Sequence, residues 1–290
     1  MSVSIELTRF RSDQLDEAVL LSQAVGWPHR REDWELNTSI SVGVAAVADG
    51  RLVGTAFMTP FGETCAAINL VIVDAAWRGR GLGRRLTAAA LDLAGDRECR
   101  LVATEDGLPL YEQLGFVAGQ AVCQHQGTPR APQDAPTGHV AWAGDDGWRI
   151  CAGLDHSAFG ADRQDLFEAL SGVARFAVLR QDGETAGFAA LRSFGRGWVI
   201  GPVVAGTDAQ ARDLIGFVLR ESQGHFLRLD TTADTGLSDW LAAHGLTQAG
   251  GGVAMRRGGH RPDHRPAYRP AHRPPRGDLR RFALVSQALG

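Results

Sequence analysis

Residues 71–86 read Val-Ile-Val-Asp-Ala-Ala-Trp-Arg-Gly-Arg-Gly-Leu-Gly-Arg-Arg-Leu, and they are the most informative stretch of the chain. The β-branched run that ends at Asp74 predicts a buried strand. A basic glycine loop follows at 78–83, and the apolar spacing from Leu86 to Leu93 predicts a helix. A strand, a glycine loop and a helix present backbone N–H groups to a phosphate, because glycine lets the main chain approach closely and the helix N-terminus carries partial positive charge. The arginines add full positive charge.

The loop pattern, Arg78-x-x-Gly81-x-Gly83, narrows the class of phosphate ligand. It is neither Gly-x-x-x-x-Gly-Lys-Ser/Thr nor Gly-x-Gly-x-x-Gly, so the patterns for nucleoside triphosphates and dinucleotides do not match. It resembles the pyrophosphate loop of the Gcn5-related N-acetyltransferases, which hold acetyl-CoA. The alternative is an arginine-rich turn on a solvated surface.

A second motif follows at the expected distance. Residues 101–104 predict the next buried strand, and Leu108-Pro-Leu-Tyr-Glu-Gln-Leu-Gly-Phe116 comes after it. Gly115 stands where a helix C-terminus needs a left-handed residue. This segment resembles the family's leucine-tyrosine-x-x-leucine-glycine-phenylalanine motif. The order of glycine loop, helix, strand and tyrosine helix also agrees.

The resemblance covers roughly residues 5–256 and implies an α/β fold: tandem domains, each with a central mixed sheet and helices on both faces. In the first half we expect strands at 5–10, 42–48, 52–58, 66–73, 99–104 and 116–124, and helices at 12–25, 81–94 and 107–114.

The second half of the chain repeats the first. Arg51–Ala56 has a counterpart in Glu184–Ala189, and their glycines are 133 residues apart. Tyr111–Phe116 has a counterpart in Leu241–Leu246, with glycines 130 residues apart, and Ile68–Ala75 parallels Val199–Ala205. A nearly constant offset across separate segments predicts two copies of one fold.

The copies differ where chemistry would take place. The second has no arginine loop, and Leu241 stands at the position of Tyr111. We therefore assign cofactor binding and catalysis to the first copy and expect the second, degenerate copy to shape the acceptor site. The arrangement resembles a bacterial subgroup, the YitH-like acetyltransferases, whose second domain carries a segment similar to Asp155–Arg163.

Composition shifts give the remaining boundaries. We predict a catalytic domain at 1–126, a Pro/Gly-rich linker at 127–138 and a degenerate domain at 139–256. A four-residue Arg-Pro repeat marks an extended tether at 257–277, and an apolar segment at 278–290 is expected to dock on a domain. For the tether three interpretations stay open: a metal site from its histidines (His260, His264, His272), a basic contact for an anionic surface, or an insertion without function.

The resemblance assigns the cofactor contacts. The pantetheine arm is expected to pair with the backbone of Val71 and Val73, and Thr104 ends the neighbouring strand. The pyrophosphate is expected to rest on the N–H groups of the loop, formed by Arg78, Gly79, Arg80, Gly81, Leu82, Gly83 and Arg84. Tyr111 is the candidate general acid for the leaving thiolate, since a phenol has a pKa of about 10. The alternative for Tyr111 is packing on the sheet.

The general base and the acceptor contacts carry weaker signals. Glu63 precedes the cofactor strand and is the candidate base; Glu105, Asp106 and ordered water are alternatives, whereas Asp74 is interpreted as a turn residue. Trp27, His29 and Trp34, in a polar-aromatic segment at 26–38 that resembles the family's mobile acceptor-side loop, are expected to contact the acceptor together with Asp155 and Arg163. For Arg163 the alternative is an ion pair with Asp162 or Asp165.

Composition excludes several classes of protein. The 290 residues are 44% hydrophobic and 22% charged with a net charge of −3, which does not favour a nucleic-acid binder. No apolar run suits a bilayer and no signal-peptide core is visible, so we expect a cytoplasmic protein without membrane contact. The four scattered cysteines form no Cys-x-x-Cys pair and predict buried or half-buried free thiols rather than zinc ligands.

The sequence thus predicts an N-acetyltransferase that uses acetyl-CoA as co-substrate and no metal, acts on a small-molecule amine, binds no nucleic acid, and is a monomer or homodimer. Two alternatives stay open: a non-catalytic acyl-CoA-binding regulatory module, and an adaptor that acts through the tether.

Overall fold

The described chain contains both strands and helices throughout its length. The structure, a computed structural model, describes residues 4–130, 132, 139–258 and 279–290. Within these residues the strands are β1 Ile5–Arg9, β2 Val42–Ala48, β3 Arg51–Phe61, β4 Cys65–Val73, β5 Glu98–Ala103, β6 Val117–Gly127, β7 His139–Trp142, β8 Ala174–Gln181, β9 Glu184–Phe194, β10 Gly197–Ala205, β11 Leu227–Thr232, β12 Thr247–Arg257 and β13 Arg280–Ala283. The helices are α1 Leu15–Ala24, α2 Arg31–Ser39, α3 Leu82–Ala94, α4 Leu108–Gln113, α5 Gly147–Phe159, α6 Gln164–Ser171, α7 Asp208–Glu221 and α8 Ser238–Ala243.

The elements expected for the first half are present within a few residues of their predicted bounds. The segment at 26–38 differs, because α2 occupies much of it. The Asp33 carboxylate accepts from the Arg30 backbone N–H at 2.9 Å and so satisfies one donor at the start of α2. The acceptor-side loop predicted there is therefore shorter than the sequence suggested.

One compact unit, unit 1, comprises residues 4–119, 253–258 and 288–290. Its strands follow the order β1-β2-β3-β4-β5-β12, and only β4 and β5 are parallel. Leu86 and Ala90 of α3 pack on one face of this sheet, whereas Leu21 of α1 and Trp34 of α2 pack on the other. The mixed sheet with helices on both faces is thus confirmed for this unit.

Unit 2 comprises the described residues of 120–252 and 279–287. Its strands follow the order β6-β11-β10-β9-β8-β7, with β10 and β11 parallel and β13 paired to β10. Leu214 of α7 and Leu241 of α8 pack on one face of the sheet. On the other face, Phe167 of α6 lies against Phe176 and Phe188 of the neighbouring strands, with ring centroids 6.0 and 5.8 Å away.

Each unit takes its last strand from the other half of the sequence. In unit 1, residues 253–257 of β12 pair antiparallel with β5. In unit 2, residues 122–127 of β6 pair antiparallel with β11. The predicted domains, bounded at 126 and 139, are continuous stretches of sequence, whereas each unit combines residues from both halves of the chain. The predicted boundaries stay predictions.

Other expectations concern the cysteines and the repeat. All four cysteines are buried free thiols, which confirms that prediction. Nearly all of the predicted tether and most of the predicted linker lie outside the described residues. The three tether histidines proposed as metal ligands, His260, His264 and His272, lie there too.

Candidate active site

The site begins as an opening in the sheet of unit 1. Among the described residues, β4 and β5 pair only where Cys65–Ala67 lie beside Glu98–Arg100. Beyond that point β4 is bulged: Leu70 has a left-handed φ of 46°, and the register with β3 shifts between Thr55 and Phe57. The Thr55 hydroxyl donates to the Leu70 carbonyl at 2.7 Å and holds the bulge. We call this opening the β4–β5 cleft.

A cavity of about 670 Å³ extends from the β4–β5 cleft to the N-terminus of α3. It brings together most of the residues predicted to bind the cofactor and two others singled out from the sequence, namely Val71, Val73, Arg78, Gly79, Gly81, Leu82, Gly83, Arg84, Thr104, Tyr111 and Trp27. Arg80 does not line the cavity, and its guanidinium carbon lies 4.9 Å from the centre of the Trp77 ring.

The loop of residues 78–84, the arginine–glycine loop, has the backbone conformation of an anion cradle. Gly79 and Gly81 have left-handed φ values of 74° and 73°, which would cost an L-residue about 1–2 kcal/mol. The first hydrogen bond of α3 runs from the Arg85 N–H to the Gly81 carbonyl at 3.1 Å. The N–H groups of residues 82–84 precede that bond, so they are available to a ligand.

The charge around the loop is positive. Among the described residues, no carboxylate forms a salt bridge with Arg78, Arg80 or Arg84, and all three are exposed. Asp74, the nearest acid in sequence, accepts from the Ala76 N–H at 2.8 Å. This contact confirms that Asp74 is a turn residue. Because Asp74 forms no salt bridge with these arginines, their positive charge is available to an anion.

Tyr111 of α4 faces the same cavity. It is 9% exposed, and burial raises its pKa to about 12. Its ring packs edge-on against Phe116, with centroids 5.8 Å apart. A Cβ added at Gly107 would lie 2.9 Å from the Tyr111 ring, so the glycine makes room for the phenol. The phenol is protonated over the whole neutral range.

The candidate bases differ in position. Glu63 lies in the exposed turn between β3 and β4 and does not line the cavity. This turn is at the opposite end of β4 from Val73. Glu63 is therefore separated along β4 from the loop end of the cavity, and its role as the base stays a prediction. Of the alternatives, Asp106 lines the cavity and Glu105 does not; both are exposed.

The three aromatic residues expected at the acceptor divide into two groups. Trp27 lines the cavity, and the His29 ring packs edge-on against it with centroids 5.7 Å apart. Trp34 is 1% exposed and its indole N–H donates to the Ser22 hydroxyl at 3.2 Å. Trp34 therefore packs in the core, because an indole so deeply buried has no surface left for an acceptor.

Asp155 and Arg163 lie in unit 2, buried and paired with each other. The Arg163 guanidinium donates to the Asp155 carboxylate through Nε at 2.8 Å and Nη2 at 2.5 Å. The ion pair considered for Arg163 thus forms, with Asp155 rather than with Asp162 or Asp165. Such a bidentate pair is a structural contact, and an acceptor role for either residue stays a prediction.

Sequence reasoning missed several lining residues. They are Val25, Ile72, Trp77, Gly107, Leu110 and Gln113. Trp77 directly precedes Arg78, and Leu110 and Gln113 flank Tyr111, so proximity to the two motifs was the available signal. Nothing in the sequence marked Val25, which reaches the cavity from the end of α1.

The corresponding helix terminus of unit 2 is closed. The Thr207 hydroxyl caps α7 by accepting from the Gln210 N–H at 3.2 Å, and the Gly206 N–H donates to the Gln210 side chain at 2.9 Å. Asp208 adds negative charge in the first turn. Leu241, at the position of Tyr111, is fully buried. The Gly206 and Gln210 amides are thus already bonded, and Leu241 has no proton to donate.

Two general findings concern the described part of the chain. None of its helices combines the length and the apolar character that crossing a membrane requires. Its His, Cys, Asp and Glu side chains form no group of three that could hold a metal ion.

Comparison with known proteins agrees with this geometry. The model of the "Acetyltransferase (GNAT) family" matches residues 8–116, and that of the "Acetyltransferase (GNAT) domain" matches residues 151–268. The "Uncharacterized N-acetyltransferase YitH" of Bacillus subtilis (strain 168) is 26% identical over 298 aligned residues, which cover all of both chains.

Solved structures resemble the chain in fold. A putative acetyltransferase from Pyrococcus horikoshii has a TM-score of 0.78 at 19% identity and covers 99% of this chain and 96% of its own. A tandem GNAT protein from the clavulanic acid biosynthesis pathway has a TM-score of 0.61 at 16% identity and covers 87% of this chain and 98% of its own. The tandem arrangement predicted from the internal repeat is confirmed by these matches.

Proposed function

The chain belongs to the GNAT family of N-acetyltransferases, and we propose that unit 1 binds acetyl-CoA and transfers the acetyl group to a primary amine of a small molecule in a ternary complex. The observation that carries the proposal is the continuity of the cavity. One cavity joins the unpaired end of β4, the open amides of α3 and the Tyr111 phenol. These are the parts that an acyl carrier with a diphosphate requires.

The arginine–glycine loop would hold the diphosphate. The N–H groups of residues 82–84 donate to its oxygens, and Arg78 and Arg84 neutralise its charge. The left-handed Gly79 and Gly81 turn the backbone toward the cavity with no Cβ in the way. A cradle made of backbone and glycine fits a diphosphate better than a planar or apolar group.

The β4–β5 cleft would hold the pantetheine arm. Past Ala67, β4 pairs with no described strand on the β5 side, and the Val73 carbonyl accepts instead from the Arg78 Nε–H at 3.3 Å, a bond that the arm would replace. An arm with two amides can pair with Val71 and Val73 as an added strand does. The bulge at Leu70 keeps the two strands apart and leaves room for that arm.

Tyr111 would act as the general acid. The amine attacks the thioester carbonyl carbon, the C–S bond breaks, and the Tyr111 hydroxyl gives its proton to the departing sulfur. The amine loses one proton, which replaces the proton given by Tyr111. Since burial raises the pKa of Tyr111 to about 12, the acid form is present throughout the neutral and mildly alkaline range.

Removal of the amine proton would use Asp106 or water. Asp106 is the one carboxylate among the described residues that line the cavity. An amine that is neutral in solution needs no strong base, only a path for its proton into water. Glu63, outside the cavity, is not given this role.

Tyr111→Phe tests the proposal. We expect kcat to fall about 100-fold, within the usual range for loss of an acid, whereas the affinity for acetyl-CoA changes less than about threefold. The measurement is release of free CoA thiol with a panel of amines, alongside calorimetry with acetyl-CoA. Leu114→Met on the adjoining turn is the control and should keep its kcat.

The outcomes separate the proposal from its alternatives. Binding without thiol release from the unmodified chain for any amine would favour the non-catalytic acyl-CoA-binding module. No binding would overturn the site itself. An unchanged kcat in Tyr111→Phe would remove the acid role and leave the cofactor site standing.

The pH profile gives an independent test. Activity should rise with pH as the acceptor amine loses its proton, and the Tyr111 phenol should impose no loss until the pH approaches about 12. A descending limb centred near pH 9, present in the unmodified chain and absent from Tyr111→Phe, would contradict the raised pKa.

A further inference from the structure

We propose that the C-terminal segment, residues 279–287, is a built-in strand ligand of unit 2. It occupies the opening between β10 and β11, the β10–β11 cleft, in the place that the proposed function gives to the pantetheine arm in unit 1. The likeness to a pantetheine arm rests on that proposed function; the contacts of the segment do not.

The β10–β11 cleft is built like the β4–β5 cleft. In both units a parallel pair of strands is joined by a long helix, α3 in unit 1 and α7 in unit 2. β10 and β11 pair only at Trp198–Val199 with Leu227–Arg228 among the described residues. Further along β10 its register with β9 shifts between Ile200 and Val203. The strands therefore open at the same stage of the motif in both units.

The segment bonds to both edges of the β10–β11 cleft. On one side β13 runs antiparallel to β10, with Ala283 opposite Val203 and Arg280 opposite Ala205. On the other side the Leu284 N–H donates to the Asp230 carbonyl at 2.8 Å. The Thr231 hydroxyl also donates to the Phe282 carbonyl, at 2.7 Å. A chain held on both sides in this way is an inserted strand.

Its side chains are buried as deeply as a core. Phe282, Ala283, Leu284 and Val285 are each no more than 3% exposed. Phe282 and Ala283 belong to the main hydrophobic cluster of unit 2. At the polar ends, Arg280 pairs with Asp208 at 2.6 Å and the Gln287 amide donates to the Asp230 carboxylate at 3.2 Å. The segment matches the cleft in both apolar and polar contacts.

Gly201 shows how closely the two backbones approach. A Cβ added at Gly201 would lie 1.8 Å from the Leu284 carbonyl oxygen and 2.9 Å from its carbon. Neither chain can yield easily there, because the obstruction is backbone. Alanine at 201 therefore collides with the segment, and its φ of 159° strains an L-residue there as well.

A double-mutant cycle in the full chain tests the proposal. Gly201→Ala removes the room for the segment, and Leu284→Pro removes the N–H that bonds to Asp230. We expect each to lower the Tm by about 5–10 °C, and the double variant to lie within about 2 °C of the more damaging single variant, because both undo one docking event. Gly250→Ala is the matched control, since Gly250 has the same φ of 159° as Gly201 but a Cβ there meets nothing. Its shift measures the backbone strain alone and should add to that of Leu284→Pro.

Hydrogen exchange in Gly201→Ala supplies a second readout. The amides of residues 280–285 should lose protection by at least about tenfold while those of α6 keep theirs. Additive Tm shifts in the cycle, or unchanged protection of residues 280–285, would overturn the proposal. Neither readout involves acetyl-CoA, so its failure and the failure of the proposed function of unit 1 can be told apart.

Discussion

Unit 1 and unit 2 share a strand–helix–strand motif with an opening between its parallel strands, and they treat that opening in opposite ways. In unit 1 the opening leads to free amides and exposed arginines at the start of α3. In unit 2 residues 280–285 fill it, and Thr207 caps the helix beside it. An opened parallel pair leaves backbone groups that need partners, whether from a ligand or from the chain itself.

The comparison suggests a physical reason why the proposed catalytic residues lie in one copy of the fold only. A cleft filled by the chain needs no ligand to be stable, so unit 2 can lose the loop and the tyrosine. Where the cleft is left open for a ligand, as proposed for unit 1, the loop and the tyrosine are both needed. The test of this contrast with the largest expected effect is a substitution in the arginine–glycine loop.

Gly81→Trp should abolish the cofactor site. A tryptophan at the left-handed N-cap of α3 would both shift the backbone and cover the amides of residues 82–84. Losing two charge-assisted hydrogen bonds corresponds to about a thousandfold weaker binding of acetyl-CoA, measured by calorimetry. Gly95→Trp is the matched control: Gly95 also has a positive φ, 61°, in open space, but at the other end of α3. If both variants bind acetyl-CoA normally, the loop is not the cradle.

Asp155→Ala should destabilise unit 2 without weakening cofactor binding. Removing one partner of a buried bidentate pair leaves a buried charge and costs about 3–5 kcal/mol of unfolding free energy, measured by denaturant titration. Asp155→Leu combined with Arg163→Met should recover part of that loss. A raised KM for the amine at unchanged stability would instead show that these residues serve the acceptor.

Arg78→Ala should weaken acetyl-CoA binding about tenfold at low salt. Arg78 is exposed beside the open amides, so the loss should shrink as salt screens its charge. The measurement is the dissociation constant at about 0.05 and 0.5 M salt. Arg149→Ala, an exposed arginine of unit 2, is the control. An equal loss at both salt concentrations would contradict a charge contact.

Thr207→Ala has the smallest expected effect. Loss of the cap of α7 should cost about 1 kcal/mol of stability, because the Gln210 N–H loses its partner. Acetyl-CoA affinity should not change, since the proposed cofactor site lies in unit 1. A measurable change in that affinity would break the contrast between the two units.

Local signals predicted much of unit 1. The glycines and arginines of the loop, and the Tyr111–Phe116 segment, carry their structure in a few adjacent residues, so the sequence located both. The bounds of α3 and α4 fell within a residue or two of their prediction. Asp74 was correctly interpreted as a turn residue because a capping side chain acts on the next two residues.

The features that were not predicted depend on contacts between elements or on the geometry of turns, which local sequence patterns do not show. Trp34 is buried because α2 packs on the sheet. The helix begins with three charged residues, Arg31, Glu32 and Asp33, which indicate a solvated segment rather than one with a buried face. The mutual pairing of Asp155 and Arg163 depends on the turn between α5 and α6, which no spacing rule describes. The insertion of β13 joins residues far apart in sequence.

The exchange of last strands has a consequence for synthesis. The edge of β5 in unit 1 receives its partner only when residues 253–257 leave the ribosome, long after β5 itself has been made. Until then the nascent lobe that holds the arginine–glycine loop has an exposed edge, which attracts other unpaired strands. A gene divided at residue 130 would therefore encode two fragments that each lack one strand of their sheet.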